Sequence, residues 1–106
     1  MLWRILLNFT NWTIQLRKGL LELVILNLLS GNRYYGYEMV KRLKEIKGFS
    51  IREGNIYPIL ARLKTDRLVT IEKEVSPDGP VRNSYSLTST GQKMLEKMNT
   101  HWEELV

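Results

Sequence analysis

EGNIYPILARLKTDRLVTIEKEV, residues 53–75, opens like a helix and ends like a strand. Ile56, Ile59, Leu60 and Leu63 recur at helical spacing, so the first part packs one face inward. From Leu68 the pattern becomes an alternation. Leu68, Thr70, Glu72 and Glu74 stand against Val69, Ile71, Lys73 and Val75, which reads as a half-buried strand over 68–75. The helix has an unusual start, because Gly54, Asn55, Tyr57 and Pro58 stand where Ala or Leu would suit a plain helix better. Two starts are open. Ser50-x-x-Glu53 has the spacing of a capping box and leaves Pro58 in the interior as a kink. With Asn55 as the cap, Pro58 falls in the first turn, where its missing N–H costs little. Either start presents small and polar residues ahead of a rigid Tyr-Pro step.

Upstream, residues 16–30 read as a helix buried on most sides, stopped by Ser30-Gly31-Asn32. Residues 35–48 read as a second helix. Tyr37, Val40 and Leu43 share one side, Lys41, Lys44 and Lys47 form a basic row, and Gly48 ends it. Downstream, Pro77, Asp78, Gly79 and Pro80 are turn residues, and 82–87 reads as a second strand, so the two strands form a hairpin with a projecting tip. Thr88 or Thr90 caps a last helix over 88–106. On it Gly91, Leu95, Met98, Trp102 and Leu105 step by 4, 3, 4 and 3, with Met94 beside the seam. A small domain has little left to cover such a stripe. Met94, Leu95, Met98, Trp102 and Leu105 are therefore the expected contacts of a homodimer.

The chain has 106 residues, enough for one domain with a modest core. It has no cysteine, and its one histidine, His101, cannot build a metal site unaided. His101 reads as a surface or rim residue. Residues 1–15 read as an extension that continues or packs on the helix at 16–30. No run there reaches the ~18–20 apolar residues of a membrane span, so the expected location is the cytoplasm. Paired catalytic acids, a phosphate-cradling glycine loop and a nucleophile beside a histidine are all missing from the pattern, so no enzyme activity and no cofactor are expected.

Helix, helix, helix, hairpin, helix is the order of a winged helix-turn-helix with an added C-terminal helix, a mainly α fold with a small β-hairpin. The expected DNA-binding domain is 16–87 and the expected dimerisation helix 88–106. Charge placement agrees. Residues 33–67 hold nine basic and four acidic side chains, a net +5, against seven of each elsewhere. All the excess positive charge lies in the candidate reading unit, which suits double-stranded DNA. A helix entering the major groove offers its N-terminal residues to base edges. These are Arg52, Asn55 and Pro58, with Arg matching guanine and Asn adenine. Tyr57 has a hydroxyl in reach of a phosphate. Arg62 and Lys64 lie further along and suit phosphate or simple solvation. Tyr35, Tyr37, Lys41 and Lys44 on the preceding helix or its start, and Lys73 and Arg82 on the wing, are candidates for the DNA backbone. A winged-helix protein-interaction module that binds no DNA is the competing reading.

YYGYEMVKRL (34–43), GNIYPILARLKTDRLV (54–69), DGPVRNSYSLTSTG (78–91) and Trp102 together resemble the PadR-like family of bacterial transcriptional regulators. The resemblance spans roughly residues 16–106. It implies a winged helix-turn-helix repressor that binds palindromic promoter DNA as a homodimer through its C-terminal helix, often released by a small aromatic effector. The family's Gly-Thr-Leu-Tyr-Pro signature corresponds to Gly54, Asn55, Ile56, Tyr57 and Pro58, which accounts for the unusual helix start. It implies Tyr57 on the DNA backbone and Asn55 at the groove-facing end. Asn83 and Ser84 replace a basic and an aromatic wing residue, and Arg67 stands where a glycine usually ends the recognition helix. The chain resembles the short-tailed members, in which a Trp at the position of Trp102 lines a drug pocket between subunits. Trp102 is thus either a dimer-core anchor or an effector-stacking residue.

Overall fold

The computed structural model describes residues 8–75 and 77–106. It holds α1 (Phe9–Leu28), β1 (Tyr34–Tyr35), α2 (Gly36–Lys44), α3 (Glu53–Thr65), β2 (Val69–Glu74), β3 (Arg82–Leu87) and α4 (Ser89–Leu105). This is a winged helix-turn-helix with an added C-terminal helix.

Helix α1 starts seven residues before the expected Leu16. Asn8 is the reason, since its side-chain oxygen accepts from the Asn11 N–H at 3.0 Å and satisfies the first turn. Residues 9–15, expected as an extension, are thus part of α1, and residues 1–7 lie outside the described residues. Leu21, Ile25, Leu26 and Leu29 are fully buried. Each contributes about 1.5–3 kcal/mol by leaving water. They meet Met39, Val40 and Leu43 of α2 and Ile56, Leu60 and Leu63 of α3 in one core.

Helix α2 ends at Lys44, four residues short of the expected Gly48. The amides of Glu45 and Ile46 bond three residues back, to Arg42 and Leu43, which tightens the last turn. Gly48 and Ser50 then both take positive φ, 87° and 49°. A residue in that conformation cannot be the N-cap of a helix, so the expected capping box at Ser50 does not form. The chain re-enters a helix only at Glu53, behind an extended Arg52 whose side chain makes no cap. Asn55 is the third helical residue, so the second expected start is overturned as well. Pro58 sits in the interior, sixth in the helix. It has no N–H to give to the Gly54 carbonyl.

Helix α3 ends on Arg67 at φ 62°. The Arg67 amide bonds the Lys64 carbonyl and the Leu68 amide the Leu63 carbonyl, both at 2.9 Å. This is the 5→2 and 6→1 pair of a Schellman ending. It forms here around a side chain that disfavours the left-handed region.

The hairpin is joined by a third strand that the sequence pattern did not show. The sheet order is β1-β3-β2, all antiparallel, with Tyr35 paired to Ser84, Ile71 to Tyr85 and Glu74 to Arg82. β3 is therefore central, and both Ser84 and Tyr85 are buried where alternation would expose one of them. Part of the tip, Ser76, lies outside the described residues.

Thr88 caps α4 by accepting from the Gly91 amide at 2.8 Å, and it donates to the Arg67 carbonyl at 2.7 Å. Gly91 lies directly under the Leu68 backbone, and any Cβ there would collide with the Leu68 carbonyl. The first half of the expected dimer seam is thereby turned inward. Leu95 is 2% exposed in the chain's own core, so it is a core residue of this chain rather than an open contact. Further along, Trp102 is 40% and Leu105 67% exposed. Among the described residues no helix is long and apolar enough to cross a membrane.

Candidate nucleic-acid interface

Helix α3 buries Ile56, Leu60 and Leu63, which fixes its remaining faces. Gly54, Pro58 and Ala61, at helical spacing, form the opposite face, and all three are exposed. Apart from its chain neighbours and its own helix backbone, no atom of the described residues lies within 4 Å of the place a Gly54 Cβ would take. The helix backbone is thus open to close approach along this face.

The flanks differ in character. On one side Asn55, Pro58 and Arg62 line a cleft of about 850 Å³ with Arg17, Lys18 and Glu22 of α1, and Arg52 lies at its end. Arg62 is engaged by Glu22, so part of its charge is used within the chain. On the other side the Tyr57 ring lies against the start of α2, with its hydroxyl 3.5 Å from the Cβ position of Gly36. Lys44 faces Glu53 at 3.6 Å across the turn between α2 and α3. Lys41, Lys64 and Lys73 are exposed, with no carboxylate within ion-pair distance among the described residues.

The structure brings two sequence candidates together. Arg82 of β3 sits with its guanidinium carbon 5.6 Å from the Tyr35 ring centre and 6.0 Å from that of Tyr37. The two rings are parallel within 8°, with centres 5.8 Å apart. The Tyr35 hydroxyl donates to Glu74 Oε2 at 2.5 Å. That hydrogen bond and the negative charge of Glu74 raise the Tyr35 phenol above its usual pKa. Arg33 pairs with Glu72 at 2.7 Å on the same face of the hairpin.

Arg17, Glu22 and Glu74 were not singled out from the sequence as functional, whereas Tyr35 was expected with Tyr37 near the DNA backbone. Arg17 bonds the carbonyls of Phe49 and Ser50, at 2.8 and 3.2 Å, from more than thirty residues away. Backbone acceptors in a distant loop leave no mark in a spacing pattern. Tyr35 and Glu74 form a pair only because β1 joins the hairpin.

A second feature lies at the far end. Leu16, Leu20 and Leu23 of α1 and Met98, Trp102 and Leu105 of α4 line an apolar groove of about 350 Å³. Met94 is exposed on the neighbouring side of α4. Asn27 and Asn99 fasten the two helices with a reciprocal amide pair at 3.0 and 3.1 Å.

Known proteins share this fold. The solved structure of a PadR-like transcription factor from Bacteroides fragilis superposes with a TM-score of 0.78 at 39% identity, over 90% of this chain and 91% of that one. The transcriptional regulator Rv3488 of Mycobacterium tuberculosis is 30% identical over 91 residues, which are 86% of this chain and 83% of that protein. Bacillus subtilis PadR, solved in complex with operator DNA, superposes with a TM-score of 0.67 at 26% identity, over 74% of this chain and 45% of that one. The model of the transcriptional regulator PadR-like family matches residues 25–97. With most of its length matched and the same helices and wing in place, the chain belongs to the PadR-like family of transcriptional regulators.

Proposed function

We propose that the protein binds a palindromic promoter site in double-stranded DNA as a homodimer and represses transcription in the cytoplasm. The observation that carries this reading is the outward face of α3. Gly54, Pro58 and Ala61 leave the backbone open, Arg52 and Asn55 flank it, and residues 33–67 around it hold the chain's whole excess of positive charge. Phosphate contacts position a protein on the duplex while base contacts specify the sequence. Lys41, Lys64, Lys73, Arg82 and the Tyr57 hydroxyl suit the first role. Asn55 and Arg52 suit the second. The exposed Trp102 and Leu105 and the half-buried Met98, with exposed Met94 beside them, supply an apolar surface for a second copy. A flat aromatic effector fits the same groove by stacking on Trp102.

Selection of bound sites from random duplex DNA tests the proposal. The expected product is an inverted repeat with half-site centres about 34 Å apart, or a multiple of that, and steeply salt-dependent affinity. Recovery of no enriched sequence would favour the protein-interaction module. Sedimentation of the parent and of a Met98→Glu/Trp102→Glu variant tests the dimer. The parent is expected at twice the chain mass and the variant at one.

A further inference from the structure

We propose that Tyr35 and Tyr37 are positioning residues for Arg82, forming an aromatic platform that holds the wing's cation ready for a DNA phosphate. The inference rests on the DNA-binding reading and assigns Tyr37 a role through Arg82 rather than a contact of its own. Three observations carry it. The two rings are parallel and the guanidinium lies within 6.0 Å of both centres, the reach of a cation–π contact. Glu74, the cross-strand partner of Arg82, is engaged by the Tyr35 hydroxyl. Among the described residues no carboxylate lies within ion-pair distance of Arg82, so its charge is steadied by rings without being neutralised.

The arrangement has a physical logic. A free arginine on a hairpin loses rotamer freedom when it grips a phosphate. A stacked one has already lost much of it. Guanidinium also stacks on aromatic faces while keeping its N–H fork free at the edge, which an ammonium does not do. The platform spans β1, the start of α2 and β3. It therefore fixes the base of the wing relative to the helix-turn-helix.

The test is a double-mutant cycle on a duplex recovered by site selection, read by fluorescence anisotropy, with Tyr37→Leu, Tyr37→Phe and Arg82→Ala. Tyr37→Leu is expected to weaken binding about two- to fivefold, the range of an exposed cation–π contact. It is expected to have no further effect in the Arg82→Ala background, and Tyr37→Phe is expected to match the parent. A Tyr37→Phe loss equal to that of Tyr37→Leu, or a Tyr37→Leu loss that persists without Arg82, would overturn the proposal. A second readout needs no DNA. The Arg82 side-chain protons are expected to show an upfield ring-current shift by NMR in the free protein, removed by Tyr37→Leu. No such shift in the parent overturns the platform even where DNA binding stands. A parent that shows the shift but binds no duplex keeps the platform and overturns the function it is assigned.

Discussion

The guanidinium of Arg17 donates to the Phe49 carbonyl at 2.8 Å, joining the first half of α1 to the turn between α2 and α3. That turn needs a tie. Gly48 and Ser50 both lie in the left-handed region, while buried Ile51 and half-buried Ile46 and Phe49 anchor the loop from below. Arg17 reaches the Ser50 carbonyl as well, so one cation serves two acceptors that helix geometry cannot. Arg17→Met keeps the aliphatic stem and removes the donors. The expected loss is about 1 kcal/mol, below the ~1.5–3 kcal/mol of a buried charged hydrogen bond because the site is partly exposed. Urea unfolding of the two proteins measures it.

Arg67 offers the opposite result. It occupies φ 62° at the end of α3, a region that disfavours side chains by about 1–2 kcal/mol. Glycine removes that strain and adds backbone entropy to the unfolded chain, offsetting roughly 0.5–1 kcal/mol. Arg67→Gly should therefore be stabilising by about 0.5–1 kcal/mol. An unchanged or lower melting temperature would show that the Arg67 side chain makes a contribution beyond its backbone.

Gly54 separates stability from binding. Its Cβ position is empty, so Gly54→Ala fits without a clash, and alanine is the better helix former by up to about 1 kcal/mol. The same methyl group stands on the face proposed to approach the base pairs. The variant should melt higher and bind DNA more weakly. Parallel gains in both would remove Gly54 from the interface.

Asn55 lies inside α3 rather than at its cap, so replacing it should cost little stability. Asn55→Ala is expected to relax sequence preference at one symmetric pair of positions by about 1–3 kcal/mol. Repeating the site selection with the variant is the measurement. An unchanged profile moves the specificity assignment to Arg52.

Periodicity carried most of the fold. Ile56, Leu60 and Leu63 are core residues at the spacing that marked them, and β3 covers the residues 82–87 assigned to it. Two of the departures, the third strand and the inward turn of Leu95, depend on partners distant in the chain. Tyr34 and Tyr35 form a strand too short to show any period, yet they make β3 central and bury Ser84. Leu95 looked like a dimer residue because its seam continues to Leu105. Gly91 brings that end of α4 down onto Leu68, which nothing in the heptad spacing announces. The candidate interface was legible as a set of residue types on one helix and a wing. Its internal ties, Glu22 to Arg62 and Tyr35 to Glu74, were not, because each joins elements that only the folded chain brings together.

Pro58 divides α3 into unequal parts. Below it, residues to Thr65 rest on the core through Leu60 and Leu63. Above it, the first turn from Glu53 to Tyr57 has one rung fewer in its ladder and is pinned by Ile56. That turn is a short head on a fixed stem. Its amides are expected to exchange with solvent deuterium well ahead of those that follow, and to slow when a duplex docks. Such a head could adjust to a groove of slightly different width without disturbing the domain that carries it. The helix would then settle its final shape on the DNA itself.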